Sequence, residues 1–337
     1  MDGWLFCDHH NRDTIAYAVL GLDGAKMTTR RWFYWLPAQG EPVKLVHQIE
    51  AGRLDSLPGA AIRYASWREL HTHLARLLQG KPRVAMQYSP DNNIPMVSLV
   101  DGGMIDLIRS FDVEVISSAD LVQYFLARLD EEGIALHRRA GEKIQRIKDE
   151  AFALVAASLR DKEYKTEREI QQYILRRFDE ENLTCDGHAP IVAVNEHASD
   201  PHFDVPEEGS ALIQQEDRLL IDLWAKEKTP KGIYYDITWC AYAGATPPDA
   251  YAELFLTVVR ARQQGKALVQ KQLAAGQAVF GYEVDDTVRQ VITAAGYGPY
   301  FTHRTGHSIG TEVHSIGVNI DNLETKDERQ LIPGICF

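Results

Sequence analysis

From about residue 137 onward the chain runs helix, helix, strands, and then does so again. An internal repeat of this kind limits the fold to one built from two like halves. In the first copy, His137 to Leu159 places apolar residues at 140, 144, 147, 151, 154, 155 and 159, the spacing of a long amphipathic helix. Thr166-Glu167-Arg168-Glu169 matches a capping box and opens a second helix with Ile170, Ile174 and Phe178 on one face. Strands follow at 190–194, 218–224 and 232–241. The second copy starts at Thr246-Pro247-Pro248-Asp249, with proline where a first helical turn tolerates it. The expected apolar face of that helix is Tyr251, Leu254, Phe255, Val258 and Val259. A further helix carries Val284, Val288, Val291, Ile292 and Ala295 and closes at Gly296. Strand-like segments are expected at Tyr300, at 312–320 and at 333–337. The second copy is shorter than the first by about one hairpin.

The part before about residue 130 has a different character. Arg31-Trp32-Phe33-Tyr34-Trp35-Leu36, residues 42–46, 83–86 and 113–116 read as strands, and 67–78 and 104–108 as helices. This is an α/β domain with no glycine-rich phosphate loop and no cluster of titratable groups. Asp8, His9 and His10 read as solvated surface residues. Asp130-Glu131-Glu132-Gly133 reads as a linker. The expected organisation is therefore an N-terminal domain over 1–130 and a second domain over 131–337, as a length of 337 residues favours.

A net charge of −12 with both signs interspersed disfavours nucleic acid and anionic membranes as partners, since both need a basic face. The four cysteines form no Cys-x-x-Cys pair, which argues against a disulfide framework and a zinc knuckle. There is no basic-then-apolar leader and no apolar run of membrane-spanning length. The expectation is a soluble, cytoplasmic protein.

The chemistry concentrates in three places. Leu219-Leu220-Ile221-Asp222 and Tyr234-Tyr235-Asp236-Ile237-Thr238 each bring a carboxylate to an apolar, strand-like run. Thr305-Gly306-His307-Ser308-Ile309-Gly310 adds a histidine between glycines, where backbone can approach closely. Taken alone, Asp222 reads as a strand-end or turn aspartate and His307 as a loop histidine. Two carboxylates on successive strands, each of which must be paired, metal-bound or protonated if buried, strengthen the metal reading. Aspartate oxygens with imidazole nitrogen suit Mn, Fe, Co or Zn, whereas calcium wants more oxygens.

These residues together resemble the pita-bread metallopeptidases: methionine aminopeptidase, aminopeptidase P, prolidase and creatinase. The resemblance implies that fold, with its pseudo-twofold helix-helix-strand repeat, behind a creatinase-like N-terminal α/β domain. Asp222 and Asp236 match the family's two aspartate ligands, with Asp236-Ile237-Thr238 as its Asp-x-Thr signature, and His307 matches its histidine ligand. His202 and His314 match the two substrate histidines, and His303 one seen in the proline-specific branch. The spacing from Asp222 to Asp236 is a little longer than the family's, and Lys226 to Gly232 reads as an enlarged hairpin turn. The family's last two ligands are glutamates. Pro333 to Phe337 matches the beginning of the pattern before the first of them, so the resemblance implies that the last strands lie beyond Phe337.

The implied activity is metal-dependent hydrolysis of an Xaa-Pro bond, at peptide N-termini or in dipeptides. Two divalent ions (manganese first, with cobalt, zinc or iron as alternatives) would share a bridging hydroxide. Asp222 would hold one ion, Asp236 both and His307 the second. His202 and His314 would hydrogen-bond the scissile amide and its oxyanion, with His303 a further substrate contact. A homodimer acting on a peptide or small molecule is implied too. The same fold also hosts a lyase, a creatinase-type hydrolase of a small substrate, and non-catalytic binding proteins.

Overall fold

A computed structural model describes residues 1–337. The chain forms two compact units. One comprises Met1–Ala127 with Phe280–Tyr282 and Ile316–Leu331; the other comprises Arg128–Val279, Glu283–Ser315 and Ile332–Phe337.

The first unit is built on β1 (Gly3–Asp8), β2 (Trp32–Pro37), β3 (Val43–His47), β4 (Ala60–Tyr64), β5 (Arg83–Met86) and β6 (Glu114–Ser117). They lie in the order β4-β3-β2-β1-β5-β6. Helices α1 (Thr14–Leu20), α2 (Trp67–Leu78), α3 (Gly102–Arg109) and α4 (Ala119–Val122) complete it. Both faces of the sheet are buried, which is why β1 and β2 read as unbroken apolar runs. Trp4 and Phe6 pack with Ile15 and Ala16 of α1 on one face. Leu5 and Cys7 pack with Leu70 and Leu74 of α2 and Met104, Ile105 and Ile108 of α3 on the other.

Two expectations fail in this unit. Asp8 is buried, and its Oδ1 accepts the backbone N–H groups of Arg12 at 2.9 Å and Asp13 at 3.0 Å. It also belongs to a titratable cluster: Cys7, Asp8, His9, Arg12, Asp13 and Asp101 line one cavity. Asp13 caps α1 by accepting Ala16 N–H at 2.9 Å and also accepts Gln87 Nε2 at 2.7 Å. Burial pushes its carboxyl up to about 7. The cluster forms because the turn after β1 and the loop before α3 converge at one end of the sheet.

The stretch 312–320 forms no strand. Its backbone groups within this unit are met by side chains instead: Gln123 Oε1 accepts Val318 N–H at 2.8 Å, and Asp327 Oδ2 accepts Asn319 N–H at 2.8 Å. A buried Arg329–Asp327 ion pair at 2.6 Å fixes the same loop. Only single bridges, Phe280 to Gln330 and Asn322 to Lys326, remain of sheet pairing here.

The second unit contains α5 (Glu131–Asp161), α6 (Glu167–Glu180), β7 (Leu183–Thr184), β8 (Ile191–Val194), β9 (Arg218–Glu227), β10 (Tyr235–Tyr242), α7 (Asp249–Ala274) and α8 (Gly281–Ala294), whose first two residues fall in the first unit. The expected linker is instead the start of α5: Asp130 caps it by accepting Gly133 N–H at 2.7 Å. Both halves of the Thr166–Glu169 capping box are present at α6. Strand β9 is central, pairing antiparallel with β10 on one edge and with β8 and β7 on the other. Leu219, Ile221, Leu223 and Ala225 of β9 alternate into a core with Ala140, Ile144, Ile147, Ile170 and Ile174 of α5 and α6.

Helix α7 does not bury the face its apolar spacing picks out. Leu254, Phe255 and Val258 are exposed, while Thr257, Ala261 and Gly265 are buried. A Cβ at Gly265 would lie 2.8 Å from Val288, so α8 approaches along the small residues and not along the bulky ones. Gly296 lies just beyond α8 with φ +88°, as its closing role requires. Tyr300 lies in a short 3₁₀ turn, and 333–337 forms no strand, touching Ile309 through one bridge at Cys336. No helix is long and apolar enough to cross a membrane.

Gly141 of α5 packs against the Tyr235 ring, where an added Cβ would sit at 2.6 Å. Gly141→Ala should therefore destabilise the protein by about 1–3 kcal/mol through overpacking, read as a lower urea midpoint. Asp13 makes a second expectation. Its carboxyl stands at about 7 in the fold against an ordinary 3.8, so the fold favours the protonated form. Its contribution is complete below about pH 4 and is lost as pH rises through 7, by a few kcal/mol at most. Asp13→Asn should flatten that part of the stability–pH curve, measured by urea unfolding at steps from pH 4 to 8.

Candidate metal centre

The β9–β10 hairpin does the first work of assembly. Its register pairs Thr238 with Asp222 and Asp236 with Trp224. Because side chains alternate along each strand, Asp222, Trp224, Asp236 and Thr238 share the face opposite the Leu219–Ile221–Leu223 core. Thus Asp222 escapes the apolar core that surrounds it in sequence. Thr238 Oγ1 donates to Asp222 Oδ1 at 2.6 Å and orients it. Burial pushes the Asp222 carboxyl up to about 6; the Thr238 bond opposes that rise and the charge of Asp236 adds to it.

The histidine arrives on a loop tied to the same hairpin. Tyr234 N–H donates to Gly310 O at 2.9 Å, and Lys226 Nζ to Thr311 O at 2.7 Å. Ser315 N–H donates to Ser308 O at 2.8 Å and closes the loop on itself. His307 Nε2 then stands 3.4 Å from Asp236 Oδ2, with both side chains largely buried. Its Nδ1 lies 3.1 Å from the Ser308 carbonyl, which suits an Nδ1–H tautomer and leaves Nε2 as the ligating atom. The His314 ring packs edge-on at 4.2 Å. Burial and the neighbouring His307 hold the His314 pKa down, favouring a neutral ring.

Two residues that the sequence reading passes over support this loop. Asp285 of α8 is fully buried and accepts Thr305 N–H at 2.9 Å and Thr305 Oγ1 at 2.6 Å. Arg289, one turn on, pairs with Asp285 at 2.6 Å and donates to Phe301 O at 2.9 Å. The signal was an Asp-Arg pair at i, i+4 on a helix, a pattern so common on solvated faces that it does not stand out.

The remaining histidines are placed less closely. His202 is exposed, and its backbone N–H donates to Asp200 Oδ1 at 2.9 Å. The loop before it is pinned by fully buried Glu167, which accepts Val194 N–H at 2.9 Å and meets His197 Nδ1 at 2.8 Å. His303 is exposed, with Nδ1 2.7 Å from Arg304 O.

In kind, the donors fit a divalent ion: a raised carboxyl, a second carboxylate and an imidazole directed at it. In arrangement, no three ligating side chains converge closely enough to hold an ion. Asp236 and His307 meet; Asp222 stays with Thr238.

Residues 136–337 match the sequence pattern of metallopeptidase family M24. The Xaa-Pro dipeptidase of Lactobacillus helveticus is 32% identical over 149 residues, 44% of this chain and 35% of that one. The chain spans less than half the length of the curated relatives that it matches at 30% identity or more. A probable dipeptidase of Mycobacterium tuberculosis is 22% identical over 335 residues, 96% of this chain and 80% of that one. The crystal structure of a dipeptidase from Mycobacterium ulcerans superposes with a TM-score of 0.59 at 20% identity, over 99% of this chain and 82% of its own. That likeness is one of fold, and it agrees with the pita-bread fold that the resemblance implies. With the family pattern covering the whole stretch that carries Asp222, Asp236 and His307, the chain belongs to metallopeptidase family M24.

Proposed function

We propose that this protein is a metal-dependent peptidase that hydrolyses the Xaa-Pro bond at peptide N-termini or in dipeptides. The observation that carries the reading is the meeting of His307 Nε2 with Asp236, on the face of the hairpin that also bears Asp222. The Xaa-Pro dipeptidase among its relatives supports the substrate class.

Asp222, Asp236 and His307 would hold divalent ions, with manganese first and cobalt, zinc or iron as alternatives. Bound there, the ions would supply Lewis acidity and a water of lowered pKa. Thr238 orients Asp222 through its hydrogen bond to Oδ1. His314, held neutral, can donate a hydrogen bond to a substrate carbonyl as it gains charge. His202, on the pinned loop, would add a second contact to the amide. His303 enters the proposal on its match to the proline-specific branch. A cytoplasmic homodimer acting on peptides, without nucleic acid or membrane partners, completes the reading.

The protein should release proline from Xaa-Pro dipeptides, or the first residue from Xaa-Pro peptides, only when manganese or cobalt is supplied. Failure on every Xaa-Pro peptide with both metals would overturn the reading; acrylate release from dimethylsulfoniopropionate would then point to the lyase. Asp236→Asn and His307→Ala should each lower manganese affinity by about 100-fold or more, since changes one shell further out already cost 10–100-fold. Calorimetric titration checks this apart from turnover. Thr238→Val, which suits a strand, should keep the fold and lower that affinity by roughly tenfold.

A further inference from the structure

The cavity in the first unit has a construction that the peptidase reading does not use. It lies at the carboxyl end of β1, which is parallel to its neighbour β5. Open α/β sheets bind ligands at the carboxyl ends of their strands. The volume of about 440 Å³ is enough for a small molecule.

One wall of the cavity belongs to a single face of the sheet. Cys7, Phe33 and Met104 pack together on that face, and Val100 and Leu107 pack against them, so this wall is apolar. Arg31 stands two residues before Phe33, and the alternation along β2 places it on the same face. Its backbone carbonyl accepts the Tyr64 hydroxyl at 2.6 Å, and Tyr64 packs on that face as well. Arg12 reaches the cavity from the turn after β1, and His9 directly follows the strand. Burial holds the His9 pKa down, and the charges of His10, Arg12 and Arg31 add to this, which favours a neutral ring beside the two guanidinium groups.

Neither the Arg12 nor the Arg31 guanidinium forms a hydrogen bond or ion pair within the chain. A shortage of carboxylates is not the reason, since the chain holds 48 acidic residues against 36 Lys and Arg. The carboxylates that share the cavity are engaged by other groups. Asp8 Oδ1 accepts the backbone N–H groups of Arg12 and Asp13, and Asp13 accepts Ala16 N–H and Gln87 Nε2. Asp101 caps α3 by accepting Met104 N–H at 3.0 Å. With its carboxyl pushed up to about 7, Asp13 is largely uncharged at about pH 6. Asp8 and Asp101 then balance the two arginines. Such a site accepts one negative charge and offers no surplus for a second.

We infer that this cavity binds a small monocarboxylic acid with an apolar body. The carboxylate would bridge Arg12 and Arg31, with the His9 ring adding one N–H donor. The body would lie along Phe33, Met104 and Leu107. The inference stands apart from the proposed peptidase activity, because all of these residues belong to the first unit and none is a proposed metal ligand.

The experiment is calorimetric titration of the full chain with 4-phenylbutanoate at about pH 6, where Asp13 is protonated. Metal is first stripped with a chelator, which is then dialysed away. Saturable one-to-one binding is expected. 4-Phenylbutanamide keeps the body and lacks the charge, and acetate keeps the charge and lacks the body; each should bind at least about tenfold more weakly. Arg31→Gln should lose at least about tenfold, and Arg31→Lys, which keeps the charge without the planar fork, should lose less. The double variant Arg12→Gln/Arg31→Gln should not bind. Because neither side chain is paired within the chain, the urea midpoint of that variant should match the parent's. The inference is overturned if 4-phenylbutanoate shows no saturable binding up to roughly 10 mM, if the amide or acetate matches it, or if the double variant binds as the parent does. Guanidinium groups that are merely solvated would give the first of these results.

Discussion

The antiparallel register of β9 against β10 is the constraint on which the rest of the site depends. Setting Thr238 opposite Asp222 fixes which face of the hairpin every other side chain takes. A slip of one residue in either strand would send that strand's aspartate into the apolar core beneath α5 and α6, where it could not stay charged. Leu219, Ile221 and Leu223 prevent that slip, because they must remain on the core face. The apolar residues flanking Asp222 therefore hold it in register on a face that they do not themselves line. The same logic explains why burial still raises the Asp222 carboxyl: the face is sheltered without being part of the core.

How much of this can be read from sequence depends on whether neighbours in space are also neighbours in the chain. The helices α2, α5 and α6, the capping box and the strands β2, β5, β8, β9 and β10 rest on local spacing, and the structure agrees with them within a few residues, except that α5 begins six residues before the expected start, within the expected linker. The aspartates and His307 were legible because each sits in a short motif whose chemistry is unusual for its surroundings. The cluster around Asp8 and Asp13 was not, since its members come from the turn after β1, the start of β2 and the loop before α3. Asp285 and Arg289 were hidden in an ordinary helical pattern.

The errors have a common physical source. Periodicity reports what an element could bury, not what reaches it. Helix α7 offers a bulky apolar stripe, yet α8 settles on Ala261 and Gly265 because those residues permit closer approach. The stretch 312–320 is apolar enough for a strand but finds side-chain partners such as Gln123 and Asp327 before it finds a neighbouring strand. Asp130 looked like part of a linker because acidic residues beside glycine fill loops, though they equally begin helices.

The unequal mounting of the two ligating elements bears on how the centre comes apart. Strand β9 has hydrogen-bonded neighbours on both edges, so its amide protons should be among the slowest in the molecule to exchange with solvent. The loop bearing His307 is tied to its surroundings by a handful of backbone bonds and by Asp285. Local opening would thus release the imidazole while the Asp222 carboxylate stays in place. An ion held at this centre would face one firmly anchored carboxylate and a detachable nitrogen, and its residence time would follow the loop's excursions more than the stability of the whole fold.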